Sequence, residues 1–169
     1  MSDFEIRRAR AHDIDGLCGL IFEHGPNPWN HLPEAEVRAH LQGIAAGAVQ
    51  ALLAEREGML LGFVSYRLLR DFARYQPVPR RAQEHAYICE AVTQRTLVGQ
   101  GLGSRLLRQV VSHLAEQGIV DIYIDRHEQN AASAGMMRKA GFVEIESYAD
   151  PQRRPYGSGR TTVCCLRRP

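Results

Sequence analysis

Apolar residues alternate weakly with polar ones over residues 4–10, the signature of a first strand, and then fall at helical spacing. From His12 to Glu23, the residues Ile14, Leu17, Cys18, Ile21 and Phe22 share one helical face, and Gly25-Pro26 stops the run. A turn-rich segment, residues 25–31, precedes Pro33 and Glu34, which open a second helix reaching Gly47. Its apolar face is Val37, Leu41, Ile44 and Ala45. Residues 48–55 and 59–69 read as strands joined by a Glu57-Gly58 hairpin turn. Arg70 to Gln83 holds Pro77, Pro79 and several arginines and reads as a long loop; Tyr87 to Thr93 resumes as a strand. A glycine-rich turn then feeds a strongly amphipathic helix with Leu102, Leu106, Leu107, Val110, Val111 and Leu114 on one face, ended by Gly118. Ile119 to Asp125 is a short β-branched strand, and Ala131 to Ala140 a short helix closed by Gly141. Phe142 to Tyr148 and Thr161 to Leu166 complete the order β-α-α-β-β-β-α-β-α-β-β, with a Pro/Arg/Gly-rich connection between them.

Such alternation in 169 residues predicts one mixed α/β domain, residues 1–169. With 44% hydrophobic and 24% charged residues, the chain is neither disordered nor fibrous. A formal net charge of +2 offers no general reason to expect a nucleic-acid or membrane partner. No apolar run approaches the length of a membrane span, and the first residues lack the pattern of a signal peptide. Cys18, Cys89, Cys164 and Cys165 form no CxxC pair and no Cys/His ligand spacing, so no metal site is expected and a reduced, cytoplasmic protein is. Of the 21 Lys and Arg residues only Lys139 is lysine. That bias suits phosphate or carboxylate recognition, and a GC-rich coding genome produces it equally well.

The chemistry-bearing stretch is Val98-Gly99-Gln100-Gly101-Leu102-Gly103-Ser104, after a strand and opening a helix. Glycines there bring backbone N–H groups close to an anion at a helix N-terminus, although glycine also serves any turn. The dinucleotide fingerprint does not fit, because Ser104 holds its third glycine position, and no Gly-Lys-Ser/Thr follows to make a Walker loop. The stretch resembles the acyl-CoA signature Arg/Gln-x-x-Gly-x-Gly/Ala of the GNAT superfamily of N-acetyltransferases, with Gly101 and Gly103 as its two glycines. Downstream, Asn130 to Phe142 resembles that superfamily's second signature, Asn-x-x-Ala-x-x-x-Tyr-x-Lys-x-Gly-Phe, with Asn130, Lys139, Gly141 and Phe142 in place. The resemblance implies a central mixed sheet of about seven strands flanked by about four helices.

It also implies acetyl-CoA as acyl donor, its pyrophosphate on the backbone of Gly99, Gln100, Gly101, Leu102, Gly103 and Ser104. The pantetheine arm would pair with the strand ending at Ala91-Val92-Thr93, with Asn130 and Ser133 on its other side. A backbone N–H near Ala91 or Val92 would polarise the thioester carbonyl, which an amine attacks directly. Two departures from the pattern matter: Val98 replaces Arg or Gln, and Met137 replaces a tyrosine that protonates the leaving thiolate. A thioether cannot donate a proton, so another group must serve or the thiolate must leave unaided.

An amine acceptor is mostly ammonium at neutral pH, so a base is required. Strand parity separates His85, Tyr87 and Cys89 from Glu90. Glu90, acting through water, is the first candidate base and His85 the second; an arginine-paired surface carboxylate is the competing reading of Glu90. Tyr148 is the candidate acid, with Tyr87 behind it. Trp29, Asn30 and His31, between the first two helices, are candidate acceptor contacts, though a lone Trp also anchors loops. The loop from Arg70 is a clamp for acidic substrates, a CoA phosphate contact, a dimer arm or a solvated basic loop, and Arg105 and Arg108 reach phosphates or solvent. The expected function is acetyl transfer to a primary amine of a small molecule or peptide, in a chain whose homodimerisation stays open. The alternative is an acyl-CoA-binding sensor without turnover.

Overall fold

Seven strands of one sheet run in the order β1-β2-β3-β4-β5-β7-β6 in the computed structural model, which describes residues 3–167. The strands are β1 (Glu5–Arg8), β2 (Gln50–Arg56), β3 (Met59–Leu69), β4 (His85–Thr93), β5 (Asp121–His127), β6 (Val143–Ala149) and β7 (Arg160–Arg167). The helices are α1 (Ile14–His24), α2 (Glu34–Ala46), α3 (Leu102–Glu116) and α4 (Ala131–Lys139). Each element expected from the hydrophobic pattern is present, with β4 beginning two residues earlier, at His85, and β5 lying two residues later, at Asp121–His127. None of the described helices is long and apolar enough to cross a membrane.

The apolar stripes explain the layers. Leu102, Leu106, Leu107, Val110, Val111 and Leu114 of α3 bury against Leu52, Val64, Tyr66, Ile88 and Ile122 on one face of the sheet, with Met137 of α4 beside them. Each such side chain contributes about 1.5–3 kcal/mol on burial. The other face packs Leu17 and Ile21 of α1 and Val37 and Leu41 of α2 on Leu53 and Phe63. Where α1 and α2 end, the loop from Arg70 covers the same face: Phe72 stacks on Tyr123 with ring centroids 4.9 Å apart. Two short 3-10 turns, Ala73–Tyr75 and Val78–Arg80, shape that loop, and Arg80 ties it down through Asp121 at 2.8 Å. Cys164 and Cys165 face opposite sides of β7, and all four cysteines are free thiols.

All neighbouring strands are antiparallel except β4 and β5, which pair in parallel only at Ala86–Ile122, Tyr87–Tyr123 and Ile88–Ile124. Beyond Ile88 they separate, while β4 remains paired with β3 as far as Thr93. The separation leaves the β5-facing edge of residues 89–93 without a strand partner.

Candidate active site

A cleft of about 790 Å³ opens where β4 and β5 part. Its β4 wall is shaped by a bulge: Ser65 of β3 pairs with Glu90 and the next residue, Tyr66, with Ile88, so Cys89 is the unpaired extra residue. Parity counting along β4 therefore fails at this point. Paired residues share a face, so Glu90 joins Ser65 on the face that looks toward α2, where Ser65 Oγ lies 2.8 Å from His40 Nε2. Tyr87 pairs with Arg67 on that same face.

Glu90 lines the cleft with its carboxyl pushed up to about 7. Burial is the main cause and the negative charge of Asp125 the second, with Arg154 and Arg153 opposing. A carboxyl at that value is poised to take a proton near neutral pH. Asp125 sits in the opposite wall on β5, and its carboxylate accepts from the Tyr87 hydroxyl at 2.9 Å, from Arg153 at 3.1 Å and from Arg154 at 3.2 Å. Both arginines arrive on the connection between β6 and β7, which sequence reading treated only as an exposed loop. No spacing rule links them to β5.

His85 is not brought to the cleft. It is fully buried beneath Phe72, its Nε2 accepting the Phe72 N–H at 3.0 Å and its ring edge-on to Tyr123. Burial holds its pKa below the ordinary value, so it has neither access nor basicity for an acceptor amine. Tyr148 lines the cleft, half-buried, with the Arg74 guanidinium 5.5 Å above its ring; burial raises its pKa. The Tyr87 proton is held by Asp125, which leaves Tyr148 the freer phenol. Cys89 lines the cleft too, and burial pushes its thiol up to about 12, far from thiolate. Met137 is core, packed under α3 at 4% exposure.

The glycine turn forms a donor-rich anion cradle. Gly99 and Gly101 adopt φ of 85° and 82°, which an L side chain rarely takes, and a Cβ on either would meet open space. Among the described residues, the N–H groups of Gly99, Gly101, Leu102, Gly103 and Ser104 donate to no protein acceptor; that of Gln100 is used on Leu97. These free donors stand at the N-terminus of the 15-residue α3, whose dipole adds to them. Gly103 also lets α4 approach, since a Cβ there would lie 2.7 Å from Met136 Sδ. The Leu102 side chain is core, and the Ser104 hydroxyl donates to the Met136 carbonyl at 3.4 Å, so both offer backbone only. Val98 is exposed at the cleft rim, while Arg105 stacks on Phe4 at 4.6 Å. Asn130 caps α4, its Oδ1 accepting the Ser133 N–H at 3.1 Å, and Ala91, Val92, Thr93, Asn130 and Ser133 line the gap between β4 and β5. This set fits a pyrophosphate joined to an extended arm.

Of the helix-connecting loop, Asn30 and His31 line the cleft, Asn30 held by a 2.7 Å bond to the Gly25 carbonyl. Trp29 does not. It packs on His127, ring centroids 4.9 Å apart, and joins Tyr156 and Gly157 in a second pocket. The loop anchor is thus the reading its surroundings support.

Residues 14–142 match the acetyltransferase (GNAT) family. The chain is 28% identical over 146 residues to glucosamine 6-phosphate N-acetyltransferase 1 of Oryza sativa subsp. japonica, covering 83% of this chain and 82% of that protein. It is 30% identical over 144 residues to an L-methionine sulfoximine/L-methionine sulfone acetyltransferase of Pseudomonas paraeruginosa, covering 81% of this chain and 78% of that one. In fold it is similar to a ribosomal-protein-alanine N-acetyltransferase from Brucella melitensis, with a TM-score of 0.73 at 20% identity over 97% of this chain and 99% of that one. A ribosomal L7/L12 alpha-N-protein acetyltransferase solved with coenzyme A gives 0.72 at 19% identity, over 99% and 95% of the two chains. The parted strands, the glycine cradle before α3 and the matched span agree, and the chain belongs to the acetyltransferase (GNAT) family.

Proposed function

We propose that this protein transfers the acetyl group of acetyl-CoA to a primary amine of a small molecule or peptide by direct attack. The observation that carries this reading is Glu90, a carboxyl raised to about 7 beside the free edge of β4. Acetyl-CoA would lie with its pyrophosphate on the N–H groups of Gly99, Gly101, Leu102, Gly103 and Ser104 and its arm along residues 91–93. The acceptor enters from the side of Asn30, His31 and Tyr148. Glu90 takes the ammonium proton, directly or through one water, and the freed amine attacks the thioester carbonyl. A backbone N–H near Ala91 or Val92 stabilises the oxyanion, collapse expels the thiolate, which Tyr148 protonates, and the second proton lost by the attacking nitrogen returns through water to the Tyr148 phenolate. Glu90 passes its proton to water before the next turnover. The four free thiols suit a reducing compartment such as the cytoplasm.

The acceptors named for the two curated relatives, glucosamine 6-phosphate and L-methionine sulfone, are the first to offer. Release of free thiol from acetyl-CoA, followed across a panel of amines, tests the reading, with the acetylated product identified by mass. Thiol release dependent on an amine is expected. Tight acetyl-CoA binding with no release for any amine would instead support a sensor without turnover, a role consistent with the burial of Met137 where an acid is usual.

A further inference from the structure

The acceptor half of the cleft holds one exposed arginine that no described residue pairs with. Five arginines line the cleft. Arg74 pairs with Glu146, Arg126 with Glu144, Arg153 with Asp125 and Asp150, and Arg154 with Asp125. Arg67 alone among these makes no ion pair and no side-chain hydrogen bond with any described residue. Its charge is nonetheless felt inside the site, because it acts on His40 from α2 and on Cys89 in the bulge. Glu36 of α2 and Asp71 also line the cleft, and neither is ion-paired to it.

The sheet register places this guanidinium relative to the base. Ser65 and Arg67 are two residues apart on β3 and share its cleft face, and their partners on β4 are Glu90 and Tyr87. Two residues along a strand span about 6–7 Å. The bulge at Cys89 makes this alignment, because an unbulged β4 would turn Glu90 and Tyr87 to opposite faces. Further along the same face the floor closes, where Leu69 pairs with His85 under Phe72. An acceptor whose amine reaches Glu90 therefore has Arg67 beside its next few atoms.

We propose that Arg67 receives an anionic group of the acceptor, a carboxylate or a phosphate, carried a few ångströms from the amine that is acetylated. A guanidinium fork suits either oxyanion bidentately. This assignment rests on the acetyl-transfer reading for its amine end. It makes the enzyme selective for small amino acids or amino-sugar phosphates over neutral amines and over unmodified peptide N-termini lacking an acidic group nearby.

Two matched pairs test it: L-methionine sulfone against its carboxamide, and glucosamine 6-phosphate against glucosamine. Steady-state kinetics of the wild type should favour the anionic member of one pair, and which pair responds distinguishes carboxylate from phosphate. In Arg67→Gln, KM for that anionic acceptor should rise about 10- to 100-fold, with KM for acetyl-CoA little changed and partial recovery in Arg67→Lys. Calorimetric binding of the same four compounds to protein saturated with coenzyme A separates this idea from the transfer reading. Anion-dependent binding that Arg67→Gln abolishes upholds the site even without turnover. Equal binding of both members of each pair to the wild type, or an anion preference that survives Arg67→Gln, overturns it.

Discussion

The Tyr87 hydroxyl donates to Asp125 Oδ1 at 2.9 Å, from one residue before the last β4–β5 pair, Ile88–Ile124, to one residue after it. The bond bridges the mouth of the split, and Arg153 and Arg154 close on the same carboxylate from the β6–β7 connection. Asp125 thereby fixes two things: the position of that connection and the field at Glu90. Its negative charge, after burial, keeps the Glu90 carboxyl protonated to higher pH. A base must be ionised to act, so Asp125→Asn should move the acidic limb of the kcat/KM profile to lower pH. Tyr87→Phe removes one hydrogen bond and no charge, so its limb should stay near the wild-type position. A limb unmoved in Asp125→Asn would free Glu90 from this control.

Glu90 itself should oppose stability in the pH range where it works. Its folded pKa of about 7 lies above the ordinary value of 4.5, so the folded state holds the proton more tightly than the unfolded chain. The stabilisation linked to that proton is complete below the unfolded pKa and is lost as pH rises through 7. Glu90→Gln, neutral throughout, should therefore gain about 1–3 kcal/mol relative to wild type at pH 8 and little at pH 4. The same substitution should lower kcat about 10²- to 10⁴-fold and remove the acidic limb. Melting temperatures at the two pH values, beside the rates, check both halves. Equal stability changes at both would mean that Glu90 is not a buried acid.

The succession of strands and helices along the chain was legible because most of it rests on regular apolar periods: the α3 stripe from Leu102 to Leu114 admits one reading. The cradle was legible because glycines at 99 and 101 are demanded by backbone conformation. What parity could not supply was the bulge, since one inserted residue at Cys89 turns Glu90 and Tyr87 to a common face with no compositional mark. The Asp125–Arg153–Arg154 cluster stayed hidden because it joins residues 28 and 29 apart through a loop fold. His85 looked available until Phe72, from a segment read as open loop, covered it.

Gly101 and Gly47 share the left-handed conformation, with φ of 82° and 79°, at opposite ends of their helices and far apart in role. Gly47 ends α2, whereas Gly101 aims free N–H donors at the α3 N-terminus. Alanine at either position should lower stability by about 1 kcal/mol through the strained φ. Only Gly101→Ala should weaken acetyl-CoA binding, by about 10-fold or more as the donors reorient. Calorimetric titration of both variants with acetyl-CoA makes the comparison. Equal affinities would remove the turn from cofactor binding.

Tyr148 stands in the cleft with no hydrogen-bond partner for its hydroxyl among the described residues, and burial holds its proton on. Those are the conditions for a donor to a departing thiolate. Tyr148→Phe should lower kcat about 10- to 100-fold with smaller effects on either KM. Because a free thiol has a pKa near 8.5, the defect should shrink when a donor with a more acidic thiol replaces acetyl-CoA. A defect independent of leaving-group acidity would return Tyr148 to a packing role.

The two loops bordering the acceptor side meet at Gly157 and Trp29. Gly157 has φ of 56°, and a Cβ there would lie 2.8 Å from Trp29 Cζ3 and 3.3 Å from His127 Cε1, and would collide with Gln129 Oε1. That oxygen already accepts the Ser158 N–H at 2.8 Å, so it cannot swing aside without freeing a donor. His127 is locked from both nitrogens, Nδ1 accepting the Gln129 N–H at 3.0 Å and Nε2 donating to the Tyr156 carbonyl at 2.6 Å. Gly157→Ala should therefore displace the stretch that begins with Arg153 and Arg154 rather than the β5 floor beneath it. Their grip on Asp125 would loosen, leaving its charge less compensated and the Glu90 carboxyl protonated to still higher pH. The expected result is a raised acceptor KM and an acidic limb shifted upward, opposite in direction to Asp125→Asn, with acetyl-CoA affinity changed less than the acceptor KM. Trp29→Ala removes the obstructing ring and should soften the effect when combined with Gly157→Ala. Kinetics of the two single variants and the double variant measure that coupling, and strictly additive defects would show that the loops do not act through each other.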